Sequence, residues 1–287
     1  MDETGFTVGD LIRQGIELMG GKPDAALAAE VMMAHCLGMT REKLFIDERL
    51  VPGKDVGGRF LRMADAHARG EPVAYLTGVK EFYGLDFMVD RRVLIPRPET
   101  EHLVDIVLEK AEQFPDGCRV LDVGTGSGCI AVTIAKRDKR VKVVAGDVSA
   151  DALEVAKINA ARHGVDCDIK FICSDLMAGI KGHFDVIAAN LPYIGRNTFN
   201  FVSREASEYE PEVALYGGAD GLELYRRLFG QVAKRKQKPR FFIGEFGFLQ
   251  GDNLRELLYE HFPDATVGIK SDYATIERVF VIEFPSP

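Results

Sequence analysis

The pattern of apolar and polar positions divides the chain into a helical first part and a second part in which strands and helices alternate. In the first part, apolar residues recur at helical spacing between clear start and stop signals. Thr7 has the side chain of a helix cap, and Gly20, Gly38 and Gly70 follow the ends of apolar segments. The predicted helices cover 7–19, 23–38, a short segment from 40 onward, and 56–68.

A short segment of different character follows the helical part. Residues 81–89 alternate aromatic and polar side chains around Gly84, which predicts a β-hairpin. Pro96 and Pro98 then favour an extended backbone, because the residue before a proline avoids helical geometry. A helix is predicted over about 100–113.

From Cys118 onward, short apolar runs alternate with amphipathic segments. This alternation predicts a mostly parallel sheet with helices on both faces. A final pair of apolar segments is predicted to close the sheet as a hairpin, and a long loop is predicted between 193 and 221. The predicted strands are 119–123, 141–146, 169–173, 184–189, 241–244, 265–269 and 276–282, and the predicted helices are 128–136, 150–162, 221–234 and 249–261.

Composition excludes several classes of protein. The formal net charge of −8 argues against a broad nucleic-acid-binding face, and the basic run 234–240 is interpreted as a solvated helix end. The five cysteines include no C-x-x-C pair, which argues against a disulfide framework or a zinc site, so no metal is expected.

Location follows from two further features. No apolar stretch approaches the roughly 18 residues of a membrane span, and the start Met1-Asp2-Glu3 is acidic, unlike a secretory signal. We therefore predict a cytoplasmic protein without a membrane partner.

A glycine-rich turn after the strand 119–123 predicts a nucleotide-type cofactor site. Its spacing is G-x-G-x-G, whereas dinucleotide sites use G-x-G-x-x-G, and Cys129 stands where the third glycine would be. A carboxylate before the first glycine would repel a diphosphate but attract a cation, which favours S-adenosylmethionine. The candidate cofactor contacts in this turn are Asp122, Gly124, Thr125, Gly126, Ser127 and Gly128.

Acidic residues end the next two strands. Asp147 lies where an acid commonly accepts hydrogen bonds from ribose hydroxyls. Asp175 can accept from an adenine amino group while Leu176 packs beside the ring. Either acid alone could simply cap a helix, but together with the glycines they line the carboxyl ends of three successive strands.

The segment Asn190-Leu191-Pro192-Tyr193 ends the fourth strand and carries the predicted chemistry. The Asn190 side-chain oxygen and the Leu191 carbonyl could each accept an N–H of a planar amide or amine. This would orient the nitrogen and stabilise positive charge that develops on it during attack. Pro192 would fix the loop and Tyr193 would offer a face to the planar group, with no metal and no general base. An ordinary Asx-turn is the alternative interpretation.

The chain resembles the release-factor glutamine methyltransferases, the HemK/PrmC family, over nearly its whole length. The most frequent form of the family's clamp is Asn-Pro-Pro-Tyr, and here Leu191 replaces one proline; a backbone carbonyl is retained and some rigidity is lost. The segments that carry the resemblance are Asn190–Tyr193, Asp122–Gly128, Gly70–Gly78, Glu81–Gly84, Leu94–Glu101, Tyr209–Pro211 and Gly217–Leu222.

The resemblance implies an α/β protein with a Rossmann-like class I S-adenosylmethionine-dependent methyltransferase domain at 96–287, built on a seven-stranded sheet. It implies an N-terminal helical bundle for substrate recognition at 1–77 and a β-hairpin linker at 78–95. The implied reaction moves a methyl group from S-adenosylmethionine, leaving S-adenosylhomocysteine, to the amide nitrogen of the glutamine in the Gly-Gly-Gln motif of peptide chain release factors. The resemblance also implies substrate and catalytic contacts at Asn190–Tyr193. It implies cofactor contacts at Gly124–Gly128, Asp147, Asp175, Leu176 and Asn190. A monomer is expected.

Three alternatives stay open on the sequence. A sister enzyme could methylate a ribosomal-protein glutamine with the same residues, although 97–101 resembles the release-factor branch more closely. An adenine N6-methyltransferase of nucleic acid shares the Asn-x-Pro-Tyr clamp but needs a basic channel and a means of extruding the base. A non-catalytic binding protein could keep the fold, but would have no need of an intact clamp.

Overall fold

The computed structural model describes residues 5–198, 202–272 and 275–285. The chain divides into two compact units, one formed by 1–79 with 203–209 and the other by 80–202 with 210–287. The first unit thus includes a segment that the sequence placed in a loop of the second part.

The first unit is helical. Thr7 and Asp10 form a capping box at the start of its first helix, with the backbone N–H of each donating to the side chain of the other at 3.0–3.1 Å. Gly15 contacts Phe60 so closely that an added Cβ would lie 2.4 Å from the ring, which sets the packing of the first helix on the fourth. The helices are α1 Val8–Leu18, α2 Ala25–Leu37, α3 Arg41–Ile46, α4 Lys54–Ala68, α5 Val73–Thr77 and, later in the chain, α9 Arg204–Tyr209.

The second unit contains nine strands and six helices in its described residues. Its strands are β1 Val79–Phe82, β2 Leu85–Met88, β3 Arg119–Val123, β4 Lys142–Asp147, β5 Ile169–Cys173, β6 Val186–Asn190, β7 Phe241–Glu245, β8 Thr266–Ser271 and β9 Glu277–Glu283, and its helices are α6 Thr100–Ala111, α7 Cys129–Arg137, α8 Ala150–Arg162, α10 Glu212–Leu215, α11 Glu223–Ala233 and α12 Gly251–His261. β1 and β2 form the predicted hairpin.

Seven strands form one sheet in the order β5-β4-β3-β6-β7-β9-β8. The first five are parallel, and β9 runs antiparallel between β7 and β8. The predicted seven-stranded α/β fold is therefore confirmed. The strand order reverses direction between β3 and β6, and ligands of such sheets bind at the carboxyl ends of the strands beside this reversal.

The core of the second unit lies on both faces of this sheet. Val186, Ile187, Ala188 and Ala189 are at most 1% exposed, which is why the β6 segment reads as a continuous apolar run. On one face Tyr225, Phe229, Phe242, Phe262 and Phe280 pack edge to face or tilted, with ring centroids 5.3–5.6 Å apart. These buried aromatic contacts pack α11 against β7.

One sequence interpretation is corrected. The long predicted loop contains α9 and α10, which are too short to show helical periodicity. The basic run 234–240 starts directly after α11 with exposed lysines, as expected of a solvated helix end, and its two arginines have partners in the fold. Arg235 donates to the carbonyl of Ile180 at 3.3 Å, and Arg240 pairs with Glu283 at 2.5 Å. Among helices of the described residues, none combines the length and apolar character needed to cross a bilayer.

Candidate active site

A cavity of about 340 Å³ opens at the carboxyl ends of the parallel strands in the second unit. The glycine-rich turn, the ends of β4, β5 and β6, the segment before α6, and residues of α10 and α11 form its walls. Ten of the predicted site residues come together here: Gly124, Thr125, Gly126, Ser127, Asp147, Asp175, Leu176, Asn190, Leu191 and Pro192.

Gly124 and Gly128 shape the turn between β3 and α7. Both have positive φ, 77° and 81°, which favours glycine. An added Cβ at Gly124 would lie 2.9 Å from the side chain of Leu191, and one at Gly128 would lie 3.0 Å from Ala156. Gly128 therefore packs α7 against α8 and lies outside the cavity lining of the described residues. Its predicted cofactor contact stays a prediction.

Asp122 is fully buried behind the turn and is not among the described residues that line the cavity. Its Oδ2 accepts from the hydroxyl of Thr125 at 2.6 Å, and its Oδ1 has no hydrogen-bond partner in the described part of the chain. Burial is the largest influence on the pKa of Asp122 and raises it, the hydrogen bond from Thr125 lowers it and the nearby Asp147 raises it; the net result is a pKa of about 7. A positive charge placed near this carboxyl group would lower its pKa and favour the ionised form.

Asp147 and Asp175 lie at the ends of neighbouring strands. Asp147 accepts from the backbone N–H groups of Gly126 and Ser149 at 2.8 and 2.9 Å, and burial raises its pKa. Asp175 is half-exposed and forms an ion pair with Arg227, which also lines the cavity. Leu176 beside it is buried, with φ 53°, so its apolar side chain forms part of the wall.

Asn190 is held by a chain of hydrogen bonds. Its Nδ2 donates to the hydroxyl of Thr100 at 2.9 Å, and that hydroxyl donates to Glu245 at 2.7 Å. Parallel pairing of β6 with β7 places Asn190 and Glu245 side by side, and Thr100 is the first residue of α6. Hydrogen bonds of the Asn190 side chain within the described residues use Nδ2 only, so Oδ1 is available to accept a hydrogen bond from a ligand.

Close packing and a hydrogen bond hold the loop after Asn190, in which Leu191 stands where the usual clamp has a proline. Leu191 is 3% exposed and packs on Gly124. The carbonyl of Tyr193 accepts from Gln250 at 2.8 Å. Glycine at 217 is required here, because an added Cβ would lie 2.1 Å from the carbonyl oxygen of Pro192. Packing therefore replaces the stiffness that the missing proline would supply.

Tyr193 is not among the described residues that line the cavity, and its hydroxyl donates to Glu245 at 3.3 Å. Burial raises the pKa of Tyr193 well above its usual value, so the ring stays neutral. Contact of this ring with a substrate stays a prediction.

Sequence reasoning missed several groups beside the cavity. Arg97 lines it and pairs at 2.6 Å with Glu210, which also accepts from the backbone of Ile95 at 3.1 Å. Glu245 is 1% exposed, and burial raises its pKa to about 6. The available signal for Glu245 was an acidic residue at the end of the apolar strand 241–244, the same signal that identified the other strand-end residues.

The cavity residues fit S-adenosylmethionine. The pocket offers apolar surface from Val148 and Leu176 and strand-end acids suited to hydroxyl and amino groups. Behind the glycine turn lies the buried acid Asp122, whose Oδ1 has no hydrogen-bond partner among the residues that the structure describes. Within the described chain, no group of three or more His, Cys, Asp or Glu residues could hold a metal ion.

Two family models match the chain. Residues 100–205 match the methyltransferase small domain, and residues 10–78 match the PrmC N-terminal domain. The class I methyltransferase fold and this match imply a cofactor of the S-adenosylmethionine type.

Similar proteins cover almost the entire chain. A release factor glutamine methyltransferase of Koribacter versatilis is 40% identical over 92% of this chain and 93% of its own length. Proteins of the same name from Chlorobaculum tepidum and Bacillus subtilis are 35% and 38% identical, over 96% and 85% of this chain and 97% and 86% of their own.

Solved structures support the fold alone. The human methyltransferase 10 domain containing protein aligns with a TM-score of 0.51 at 19% identity, over 71% of this chain and 91% of that one. A methyltransferase from Pyrococcus furiosus aligns with a TM-score of 0.50 at 17% identity, over 70% of this chain and 89% of that one.

Proposed function

The chain belongs to the release factor glutamine methyltransferase family, and on that premise we propose that it methylates the side-chain amide nitrogen of the glutamine in the Gly-Gly-Gln motif of peptide chain release factors. S-Adenosylmethionine, when bound, would supply an electrophilic methyl group on a positively charged sulfur and leave as S-adenosylhomocysteine, while the methylated nitrogen would release one proton to solvent. The observation that carries the proposal is the orientation of the Asn190 side chain: its Nδ2 donates to Thr100, and its oxygen has no hydrogen-bond partner among the described residues beside the cavity.

The cofactor is assigned to the glycine turn and the strand ends. Gly126 and Ser127 would offer backbone groups to the ligand, Asp147 would accept from the ribose hydroxyls and Leu176 would pack beside the adenine; all four residues line the cavity. Asp122 acts from behind the turn, since its burial favours pairing with the positive charge of the methionine portion. Asp175, which forms an ion pair with Arg227, would also accept from the adenine amino group.

The substrate amide is assigned to the clamp. A carboxamide nitrogen is a poor nucleophile because its lone pair is delocalised into the carbonyl group. Asn190 Oδ1 and the carbonyl of Leu191 each accept one of its two N–H groups, which turns the nitrogen lone pair toward the cofactor. The same two oxygens stabilise the positive charge that develops on the nitrogen, so their interaction is stronger in the transition state than with the free substrate.

The first unit is assigned to capture of the protein substrate. The segment matching the PrmC N-terminal domain forms its helical core, and the predicted division into 1–77, 78–95 and 96–287 gives capture and transfer to separate parts of the chain. We expect a monomer that acts in the cytoplasm, where translation terminates.

A transfer assay tests this function. The enzyme is incubated with cofactor carrying a labelled methyl group and one of four acceptors: an intact release factor, the same factor with the Gly-Gly-Gln glutamine replaced by asparagine, a ribosomal protein, or DNA. We expect label in the intact factor only, located by mass spectrometry on the glutamine. Asn190→Ala enzyme serves as the matched control and is expected to leave all four acceptors unlabelled.

Other outcomes contradict the proposal in distinct ways. Label in the ribosomal protein would favour the sister activity, and label in DNA would favour adenine methylation. Cofactor binding with no labelled acceptor at all would favour a non-catalytic protein.

A further inference from the structure

Glu245 is a buried carboxyl group that the proposed transfer does not use directly. It lies at the end of β7, it is 1% exposed, and it is absent from the cavity lining of the described residues. Burying a carboxylate costs free energy unless its oxygens are hydrogen-bonded. Both oxygens are used here: Oε2 accepts from Thr100 at 2.7 Å and Oε1 accepts from Tyr193 at 3.3 Å.

The single proton of the Thr100 hydroxyl decides the direction of this network. An ionised carboxylate only accepts hydrogen bonds, so the Thr100 hydroxyl must donate its one hydrogen bond to Glu245. The hydroxyl can then only accept from its other neighbour, which therefore has to present an N–H. Asn190 meets this condition with Nδ2 at 2.9 Å and consequently turns Oδ1 toward the cavity.

We propose that Thr100 and Glu245 are positioning residues that keep the Asn190 carboxamide turned with its oxygen toward the substrate amide. This inference rests on the function proposed above. We call the hydrogen bonds that lead from Asn190 through Thr100 to Glu245 the relay. Without the relay, the Asn190 carboxamide could rotate by 180° and present N–H groups to the N–H groups of the glutamine. Two donors cannot bond to each other, so the clamp would orient no substrate although every clamp residue were still present.

Protonation of Glu245 gives the relay a dependence on pH. Groups that interact with this carboxyl come from several elements: Thr100 and Glu99 at the start of α6, Cys129 on α7, Tyr193 in the loop after β6, Tyr225 on α11, and Arg278 on β9. Burial is the largest influence on the pKa of Glu245 and raises it, Thr100, Tyr193 and Arg278 lower it, and Glu99 raises it; the net result is a pKa of about 6. A protonated carboxyl can itself donate a hydrogen bond to the Thr100 hydroxyl. That hydroxyl is then free to donate to Asn190 Oδ1, which favours the carboxamide rotated by 180°, with its N–H groups toward the substrate.

Substitutions at Thr100 test the relay, with Thr133 as the matched control. Thr100→Val removes the hydroxyl at nearly constant volume, and Thr100→Ser keeps it. Thr133→Val makes the same change at a fully buried threonine on α7 whose hydroxyl has no partner among the described residues and which is not one of the described residues lining the cavity. The measured quantities are kcat, the KM for release factor, the Kd for cofactor, and transfer between pH 5 and 8.

We expect kcat of Thr100→Val to fall by on the order of 10²-fold, the loss typical of one misplaced charge-stabilising group. KM and cofactor Kd should stay close to wild type, Thr100→Ser should recover most of the loss, and Thr133→Val should behave as wild type. Transfer by wild type should decline below a pH of about 6. This decline should vanish in Glu245→Gln, because its side chain cannot titrate. Its amide N–H, like the protonated carboxyl, can donate to the Thr100 hydroxyl, so transfer by this variant should be low and equal across the pH range.

Two results would overturn the relay while leaving the methyltransferase function intact. One is an active wild type with equal kcat in Thr100→Val and Thr100→Ser. The other is an acidic decline that persists unaltered in Glu245→Gln. An inactive wild type that binds cofactor would instead contradict the function from which the inference starts.

Discussion

Replacing Asp122 by asparagine should stabilise the folded protein at alkaline pH and weaken its hold on the cofactor. Asp122 is fully buried, and its Oδ1 lacks a hydrogen-bond partner among the described residues. Asparagine has almost the same shape, carries no charge, and can still accept the hydrogen bond from Thr125. The substitution therefore removes ionisation and leaves the packing in place.

The magnitude follows from the pKa of this carboxyl group. Its pKa is about 7 in the folded protein against an ordinary value of 3.8, a difference of about 3 units at about 1.4 kcal/mol each. Since the folded-state pKa is raised, the folded state binds more protons than the unfolded chain between pH 4 and 7. Stability is lost as the pH rises through this interval, by about 4 kcal/mol in total. The free energy of unfolding of Asp122→Asn should therefore exceed that of wild type by about 4 kcal/mol at pH 8 and be almost equal to it at pH 4.

Urea unfolding at a series of pH values measures this difference. Circular dichroism is a suitable signal because the chain contains no tryptophan. Asp252→Asn is the matched control, since the Asp252 side chain is fully exposed, and its pH dependence should follow wild type. Cofactor binding at pH 8 should be weaker in Asp122→Asn than in wild type, because the neutral amide does not attract a cationic ligand.

The reasoning would be refuted if the stability difference between Asp122→Asn and wild type were the same at pH 4 and pH 8. Stabilisation at pH 8 with cofactor affinity equal to wild type would preserve the titration argument but remove Asp122 from the cofactor site.

Three further predictions concern the clamp, the glycine turn and the first unit. Asn190→Ala should lower transfer by on the order of 10²- to 10³-fold with little change in cofactor Kd, and unaltered turnover would exclude the clamp from the mechanism. Gly128→Ala should lower the free energy of unfolding more than Gly164→Ala, because both have positive φ but only at Gly128 does the added Cβ meet a neighbour, Ala156 at 3.0 Å; equal losses would mean that this close approach is unimportant. Deleting residues 1–75 should weaken capture of release factor, measured as KM, far more than cofactor affinity, and comparable losses would refute the division of labour.

Much of the fold was predictable because its elements carry local signals. The predicted strands 119–123 and 169–173 and the predicted helix 150–162 coincide with β3, β5 and α8. Each is a buried apolar run or an amphipathic segment between turn residues, so its periodicity reflects its surroundings. In contrast, α5, α9 and α10 are four to six residues long, which is too short for periodicity to separate a helix from a loop.

The candidate site was predictable only in part. Strand-end positions Asp147, Asp175 and Asn190 could be named because the carboxyl ends of parallel strands share one edge of the sheet. The hydrogen-bonded network around Asn190 could not be predicted, because Thr100 precedes Asn190 by 90 residues and Glu245 follows it by 55. The turning of Tyr193 toward Glu245 was equally invisible, because no pattern in four residues specifies which way a ring points.

The amino-acid sequence by itself determined the class of fold, the glycine turn and the identity of the groups at the strand ends, since periodicity and turn chemistry act between near neighbours in the chain. Tertiary structure alone decided which of those groups face the cavity and how they are oriented. It placed Asp122 behind the turn, and it brought Thr100 and Glu245 to Asn190. The physical reason is that the direction of a hydrogen bond and the pKa of a buried acid depend on partners and burial, and both come from segments distant in the sequence.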